Sequence, residues 1–364
     1  MKPVLQIDLE KIKHNTRQLV NKAREYGVSV AGITKGCCGN EAFAKAQMEA
    51  GVDLLADSRI ENLKKLNHLP IPKMLLRSPK LSEVNEVVTF ADYSLNSDLM
   101  VIRALDKAAA ELKKKHGVIL MVDVGDLREG IWHEHSENMF AMIDSIVQMK
   151  GIVLEGLGTN VTCFGGIMPT EQNYGHFISL GEEIRGRYGI DLPIISGGNS
   201  SILQMLYEGR LPKGVTQLRV NQAIYLGMEI GQGNKVPGWT SRTVSLKAEI
   251  IEIQEKPSLP QGETARMNAF GDIPLFEDKG LRKRAIVAIG RQDMDVSGLT
   301  PYDSGITIEG ASSDHLILDL TEAVETYQTG DWVLFEVATY SGILTAMASP
   351  YIHQEAIHEV IQCY

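Results

Sequence analysis

Short apolar runs, rich in β-branched residues, recur along the first two thirds of the chain, and stretches with helical spacing of apolar residues lie between them. The runs span 28–34, 53–56, 73–77, 91–95, 118–123, 152–158, 193–196 and 217–221. Runs of this length without polar alternation predict strands buried on both faces, as in a parallel sheet. The intervening stretches carry helix start and stop signals. Asp8 precedes LEKIKHNTRQLVNKAREY, with Gly27 as the stop, and Ser58 precedes RIENLKKL. Asn96 or Ser97 opens a stretch closed by Gly117, and Thr170 opens one closed by Gly189. Eight strands alternating with helices in about 200–250 residues is the pattern of a (β/α)8 barrel.

From about Lys235 the pattern changes. VPGWTSRTVSLKAEIIEIQEKPSLPQGE, AIVAIGRQD, GITIEGASSDHLILDLT and GDWVLFEVATY alternate apolar and polar residues between Pro and Gly turns, which predicts short strands of an all-β domain. PVLQIDL, near the start, alternates in the same way and is expected to pair with them. The fold class is therefore α/β: a (β/α)8 TIM-type barrel over 8–232, and a C-terminal all-β domain over 233–364 that takes in the strand at 1–7.

Composition narrows the choice of function. A chain of 364 residues, 44% hydrophobic and 23% charged, suits a soluble globular protein with a sizeable core. Its net charge of -10 argues against nucleic acid as a partner, because phosphate binding needs a basic surface. The four cysteines, Cys37, Cys38, Cys163 and Cys363, are too few for a disulfide framework and lack zinc-site spacing. They are expected to be reduced. No apolar run approaches the length of a membrane span, and MKPVLQIDLEKIKHN has no signal-peptide core, so a cytoplasmic location is expected.

Candidate chemistry gathers at predicted strand ends, where barrel enzymes keep their functional residues. Lys35 ends VSVAGITK and is followed by small Gly36, Cys37, Cys38 and Gly39. It is either a solvated lysine at a strand exit or a reactive amine with space cleared beside it. ISGGNSSI ends the seventh strand and starts a helix; Asn199, Ser200 and Ser201 there form an anion site, or Ser200 is a helix cap. Arg219 interrupts the apolar run of the eighth strand, and a charge there needs a partner. Arg128, in VDVGDLREGI, either offers its fork to a carboxylate or forms a loop ion pair with Asp123, Asp126 or Glu129. An amine, an anion cradle and two guanidinium groups at one barrel mouth match the needs of pyridoxal 5'-phosphate.

At these residues the sequence resembles the alanine racemase-like pyridoxal phosphate enzymes of fold type III, within them the group that includes ornithine and lysine racemases. IDLEKIKHN, GITKGCCG, DSRIENL, MVDVGDLREG, GTNVTCFGG, ISGGNSS, LRVNQAIYLG, GRQDMD and GASSDHLILD carry the resemblance, in order, over essentially the whole chain. It implies a cofactor-binding barrel plus a β domain, paired head to tail in a homodimer, acting on a small-molecule amino acid.

The resemblance also implies roles. Lys35 matches the lysine that condenses with the cofactor aldehyde, and Ser200, flanked by Asn199 and Ser201, the phosphate-binding serine. Arg219 matches the arginine facing the ring nitrogen, and Asn221 and Gln222 follow it in the cofactor shell. Arg128 matches an arginine on the far side of the cofactor, and Asn160 stands where a histidine lies against the ring. An arginine opposite the ring nitrogen cannot take up its proton, which favours removal and return of a Cα proton over transamination or decarboxylation.

Racemisation needs a proton-transferring group on each face of Cα. Lys35 serves one. Met267 stands where the family places the second, a tyrosine from the partner's β domain, so either a local shift brings in another residue or a different acid serves; Asp314 and His315 of the SSDH stretch are the candidates, with a purely structural histidine the alternative. Gly39 and Met347 stand at two other aromatic positions. Smaller or more flexible groups there suit a longer, basic substrate, ornithine or lysine, with Asp126, Asp293 or Asp314 expected to meet its terminal ammonium. No metal site is expected: His353, His358 and Cys363 lack ligand spacing and suit a solvated terminal helix. The alternatives are a pyridoxal phosphate-dependent D-amino-acid lyase, either aldolase or dehydratase, and a non-catalytic cofactor-binding protein, against which the β domain counts.

Overall fold

A computed structural model describes residues 1–273 and 275–358. The chain divides into two compact units, Asp8–Thr243 on one hand and Met1–Ile7 with Val244–Ile357 on the other. The first unit extends past 232 because its last turns are tied back to it. Thr240 donates its N–H to Asn15 at 2.8 Å, and Thr243 Oγ1 donates to the carbonyl of Tyr225 at 2.8 Å.

The strands in chain order are β1 (Val4–Asp8), β2 (Ser29–Ile33), β3 (Leu54–Asp57), β4 (Lys73–Leu75), β5 (Tyr93–Asn96), β6 (His116–Asp123), β7 (Ile131–Trp132), β8 (Ile152–Gly158), β9 (Ile194–Ser196) and β10 (Gln217–Val220). β2, β3, β4, β5, β6, β8, β9 and β10 pair in parallel and close on themselves as a barrel. All eight expected strands are present. Their interior is filled by Ala31, Ile33, Leu54, Ala56, Met74, Leu95, Ile119 and Met121, an apolar set that explains the lack of polar alternation. Register places Arg219 opposite Ala31, and Ala31 opposite Leu54, so Arg219 points inward from the same layer as the barrel core. Gly158 leaves it room: a Cβ there would meet Met121 Sδ at 2.8 Å and Arg219 Nη1 at 3.6 Å.

Helices α1 (Leu9–Arg24), α2 (Glu41–Glu49), α3 (Ile60–Lys65), α4 (Val84–Phe90), α5 (Leu99–Glu111), α6 (Ser136–Ile146), α7 (Glu171–Tyr188), α8 (Leu203–Tyr207) and α9 (Gln222–Leu226) lie between or after the strands. Asp8 caps α1 and Thr170 caps α7, as expected, and Gly189 ends α7 in the left-handed conformation. Other boundaries move. Asp98, not Asn96 or Ser97, caps α5. Gly117 lies inside β6 rather than stopping a helix. Arg59, not Ser58, stands at the start of α3 and gives it no side-chain cap; its own N–H is held by the Asp57 carboxylate.

The second unit is an antiparallel sheet of β11 (Val244–Pro257), β12 (Leu281–Val287), β13 (Leu299–Pro301), β14 (Thr307–Ala311), β15 (Leu316–Asp319), β16 (Trp332–Val337) and β17 (His353–Ile357). β1 joins it, pairing antiparallel with β11 from Val4 opposite Lys247 to Ile7 opposite Val244, and also pairing with β17. One helix, α10 (Tyr340–Ala348), was not predicted; its Met347 is 2% exposed and belongs to this unit's core. His353 lies in a strand rather than a terminal helix, because Gln6 and Pro3 of the first strand bond to this segment. Cys363 lies outside the described residues. No helix among the described residues is long and apolar enough to cross a membrane.

Candidate active site

Because the barrel strands are parallel, their C-terminal ends share one rim, and the candidate residues meet there. β2 delivers Thr34 and then Lys35, which opens a single 3-10 turn, Lys35–Cys37. This turn needs its glycines. A Cβ on Gly36 would strike the Tyr225 ring at 2.8 Å, and Gly39, at φ +70, would strike Asn62 Cβ at 2.9 Å. The position of Gly39 thus has no space for any side chain, which is a packing reason for the missing aromatic.

The Lys35 amine has no hydrogen-bond or ion-pair partner among the described residues. Burial pushes it below the ordinary lysine value. The guanidiniums of Arg128 and Arg219 push the same way, against Cys163 and the Asp57 carboxylate. Asp57 ends β3 and is fully buried. It accepts from Thr34 Oγ1 at 2.7 Å, Asn62 Nδ2 at 3.1 Å and the N–H of Arg59 at 2.9 Å. Burial pushes its carboxyl upward against those bonds.

Arg219, 5% exposed, is held by oxygens at the ends of two neighbouring strands. Nη1 donates to Ser196 Oγ and, at 3.5 Å, to its carbonyl; Nη2 donates to the Thr159 carbonyl at 2.8 Å and to Asn160 Oδ1 at 2.9 Å. Four of the five guanidinium N–H donors are thereby used, and Nε–H is left without a partner among the described residues. Burial pulls its pKa down to about 10, against the pull of Glu129, so it stays a cation at neutral pH. The structural alternative of an ion pair at Arg219 does not hold: its partners are neutral oxygens.

The polar network continues outward. Asn160 Nδ2 donates to Glu129 Oε1 at 2.8 Å, and Glu129 takes both Nε and Nη2 of Arg128. Burial alone would lower the pKa of Arg128, but the bond to Glu129 together with the nearby charges of Cys163, Glu129 and Asp126 outweighs it and raises the value. The fork of Arg128 is thus occupied by its sequence neighbour.

Asn199, not Ser200, caps the turn after β9: its Oδ1 accepts the N–H of Ser201 at 2.8 Å and the Ser201 hydroxyl at 2.8 Å. Buried Ser200 instead accepts the N–H of Ala223 at 3.2 Å, joining the loops after β9 and β10. Asn221 is buried before α9, and half-buried Gln222 begins it. The glycines here serve packing as well as approach. Gly197 would strike Val215 at 2.7 Å, and Gly198, at φ +93, faces Thr159 O and Tyr174 Oη at 3.3 Å. Asn199 Nδ2 also donates to the Val161 carbonyl and to Cys163 Sγ, both within 3 Å.

An orphaned guanidinium N–H, an unpartnered lysine amine and a serine-lined pair of loop ends suit pyridoxal phosphate: a donor for the ring nitrogen, an amine for the aldehyde, hydroxyls for the phosphate.

Expected acids differ. Asp126 cannot meet a substrate ammonium. It is 1% exposed, and its carboxylate takes the N–H groups of Cys163 and Phe164 on Oδ2 and of Gly165 on Oδ1, at 3.0–3.1 Å. In the sheet unit, buried Asp293 accepts the Gly290 N–H at 2.9 Å. Asp314 and His315 form an exposed pair with Nδ1 and Oδ1 2.7 Å apart, and the bond to His315 holds the Asp314 carboxyl below its usual range. Met267 is 54% exposed. Among the described residues no cluster of three or more His, Cys, Asp or Glu side chains forms a metal site.

The sequence offered Glu129 only as an ion-pair partner of Arg128, which it is; Asp57, Thr159, Tyr174 and Ser196 were not singled out, and Cys163 only as a reduced cysteine. Asp57, Thr159 and Ser196 share the signal that marked Lys35, a polar residue where an apolar strand stops.

The model of the family described as alanine racemase, N-terminal domain, matches residues 7–227. An ornithine racemase from Acetoanaerobium sticklandii is 43% identical over 357 residues, 98% of this chain and 100% of the relative. A lysine racemase from Thermotoga maritima is 40% identical over 355 residues, 97% of this chain and 98% of the relative. Among solved structures, an alanine racemase from Streptomyces coelicolor A3(2) superposes with a TM-score of 0.77 at 17% identity, covering 98% of each chain. One from Bartonella henselae with covalently bound pyridoxal phosphate gives 0.73 at 17% identity, covering 98% of this chain and 100% of that one.

Proposed function

Because the chain belongs to the alanine racemase family, we propose that it is a pyridoxal 5'-phosphate-dependent racemase of a basic amino acid, ornithine or lysine, with alanine and serine as secondary substrates. The names of its two full-length relatives support the substrate class. The observation that carries the chemistry is the pairing at one rim of an unpartnered, low-pKa amine on Lys35 with the orphaned Nε–H of Arg219.

When bound, the cofactor supplies an aldehyde for an amino group and a ring that accommodates negative charge from Cα. Lys35 would hold the aldehyde, and Ser200 with Asn199 and Ser201 the phosphate. Arg219 would donate its Nε–H to the ring nitrogen. As a cation with its proton firmly held, it keeps that nitrogen from gaining one and so tempers the ring's pull on electrons. Asn160 and Arg128 would border the ring, with Asn221 and Gln222 behind it. Lys35 moves a proton on one side of Cα. His315, oriented by Asp314, supplies the other side from a second copy in a head-to-tail homodimer acting in the cytoplasm.

The test incubates the cofactor-loaded protein with single enantiomers of ornithine, lysine, alanine and serine in D₂O, followed by chiral chromatography. Loss of optical purity and deuterium uptake for a basic amino acid, abolished in Lys35→Ala, are expected. Retained optical purity, or formation of a keto acid or aldehyde instead, would overturn the proposal, the latter in favour of a lyase.

A further inference from the structure

We propose that Glu129 recognises the distal ammonium of the substrate, through an exchange in which the Arg128–Glu129 pair opens to take both charges of a basic amino acid. This rests on the function proposed above and names the residue that would select the substrate class.

Four carboxylates stand at or just after the strand ends near the rim. Asp57 is fully buried and holds three donors. Asp126 is 1% exposed and clamps three backbone N–H groups. Asp123 is 8% exposed and accepts the N–H groups of Gly125 at 2.8 Å and Leu127 at 3.3 Å. Breaking any of these would strand backbone donors. Glu129 differs on both counts. Its side chain is 30% exposed, and its partners, Arg128 and Asn160, are side chains.

The pair it forms is easily opened. Arg128 is 38% exposed, and an ion pair this wet contributes little net stability. Arg128 gives Glu129 its Nε and Nη2, leaving Nη1 free. Asn160 Nδ2 also holds Glu129 by Oε1, an anchor that remains when the two bonds from Arg128 open.

An amino acid whose α-amine is taken up by the reaction retains its carboxylate. If the side chain is basic, it also retains a distal ammonium. Such a molecule carries the complement of the Arg128–Glu129 pair: its carboxylate replaces Glu129 on Arg128, and its ammonium replaces Arg128 on Glu129. One ion pair opens and two form. A neutral side chain offers only the first half and leaves Glu129 without a cation. Selectivity then comes from a stranded charge as much as from a gained one.

The test compares L-ornithine with L-norvaline, which has the same carbon chain and no amine. Both kcat/KM and the dissociation constant, the latter read from the absorbance change of the bound cofactor, are measured for wild type, Glu129→Gln and Glu129→Asp. In Glu129→Gln the ornithine-to-norvaline ratio should fall by about tenfold or more in both quantities, the factor expected for one charge pair. Glu129→Asp, which keeps the charge, should retain most of the ratio. Equal losses on both amino acids would mean that Glu129 only holds Arg128, and would overturn this proposal while leaving the racemase function standing. With lysine and its unaminated counterpart, L-norleucine, run in the same way, a wild type that racemises neither ornithine nor lysine would instead overturn the function itself.

Discussion

Half-buried Lys35 and buried Arg219 set the character of the rim, and burial is the main influence on each. Lys35 must be neutral to accept a proton, and burial with two nearby guanidiniums lowers its pKa. The activity of the amine should therefore rise with pH through a midpoint below the ordinary lysine value. Removing a cation relaxes that depression, so Arg128→Gln should raise the midpoint; removing the Asp57 charge deepens it, so Asp57→Asn should lower it. Shifts of up to about one unit are expected for single charges at this range. The pH dependence of Lys35 modification in the cofactor-free protein, followed by mass spectrometry, reads this directly. Shifts of the same sign in both variants would rule out the electrostatic account. Lys35, Arg128, Ser200 and Arg219 stood out in the sequence because charged and hydroxyl residues in or just after apolar strands gather at one predicted rim, although each alone had a structural alternative. Glu129 did not, because adjacency in sequence does not reveal whether a carboxylate faces its neighbour's fork or turns away.

At the scale of elements, the rim loops are shaped by buried acids that serve backbone rather than substrate. Asp126 in the loop after β6 accepts three consecutive N–H groups, from Cys163 to Gly165, and so fixes the loop after β8 against it. Asp126→Ala leaves those donors buried without a partner and should cost on the order of 3 kcal/mol in denaturant-induced unfolding. Amide exchange at 163–165 should quicken well before global unfolding. Unchanged exchange there would show that the loop holds its shape by other means. The strands themselves were legible, since burial on both faces removes polar alternation. Helix starts were less so. Asp98 takes the capping role that nearby Asn96 and Ser97 could have filled, while α3 starts with no side-chain cap, and the choice turns on backbone angles that composition does not encode.

At the scale of the whole molecule, the two units carry different halves of the proposed chemistry: Lys35 belongs to the barrel unit, His315 to the sheet unit. If each site draws its second half from a partner copy, mixing inactive Lys35→Ala with inactive His315→Ala should restore activity. Random pairing leaves about a quarter of the sites intact. Absence of any recovery after subunit exchange, with dimers verified by sedimentation, would place both groups in one chain or remove His315 from the chemistry. The division into barrel and sheet was visible as a change in the period of hydrophobicity. The role expected of SSDH rested on the resemblance alone, because the register of a loop against another copy leaves no periodic trace.

The pairing of β1 with β11 and β17 also orders events during synthesis. The ribosome delivers Val4–Asp8 first, but the strands that hydrogen-bond to it emerge only after the entire barrel has been made. The nascent chain must therefore carry an unsatisfied strand edge through most of translation, while the barrel behind it is free to close. Final assembly awaits β11 and β17, so a message stalled or truncated before them would yield barrel strands preceded by a sticky, unpaired β1.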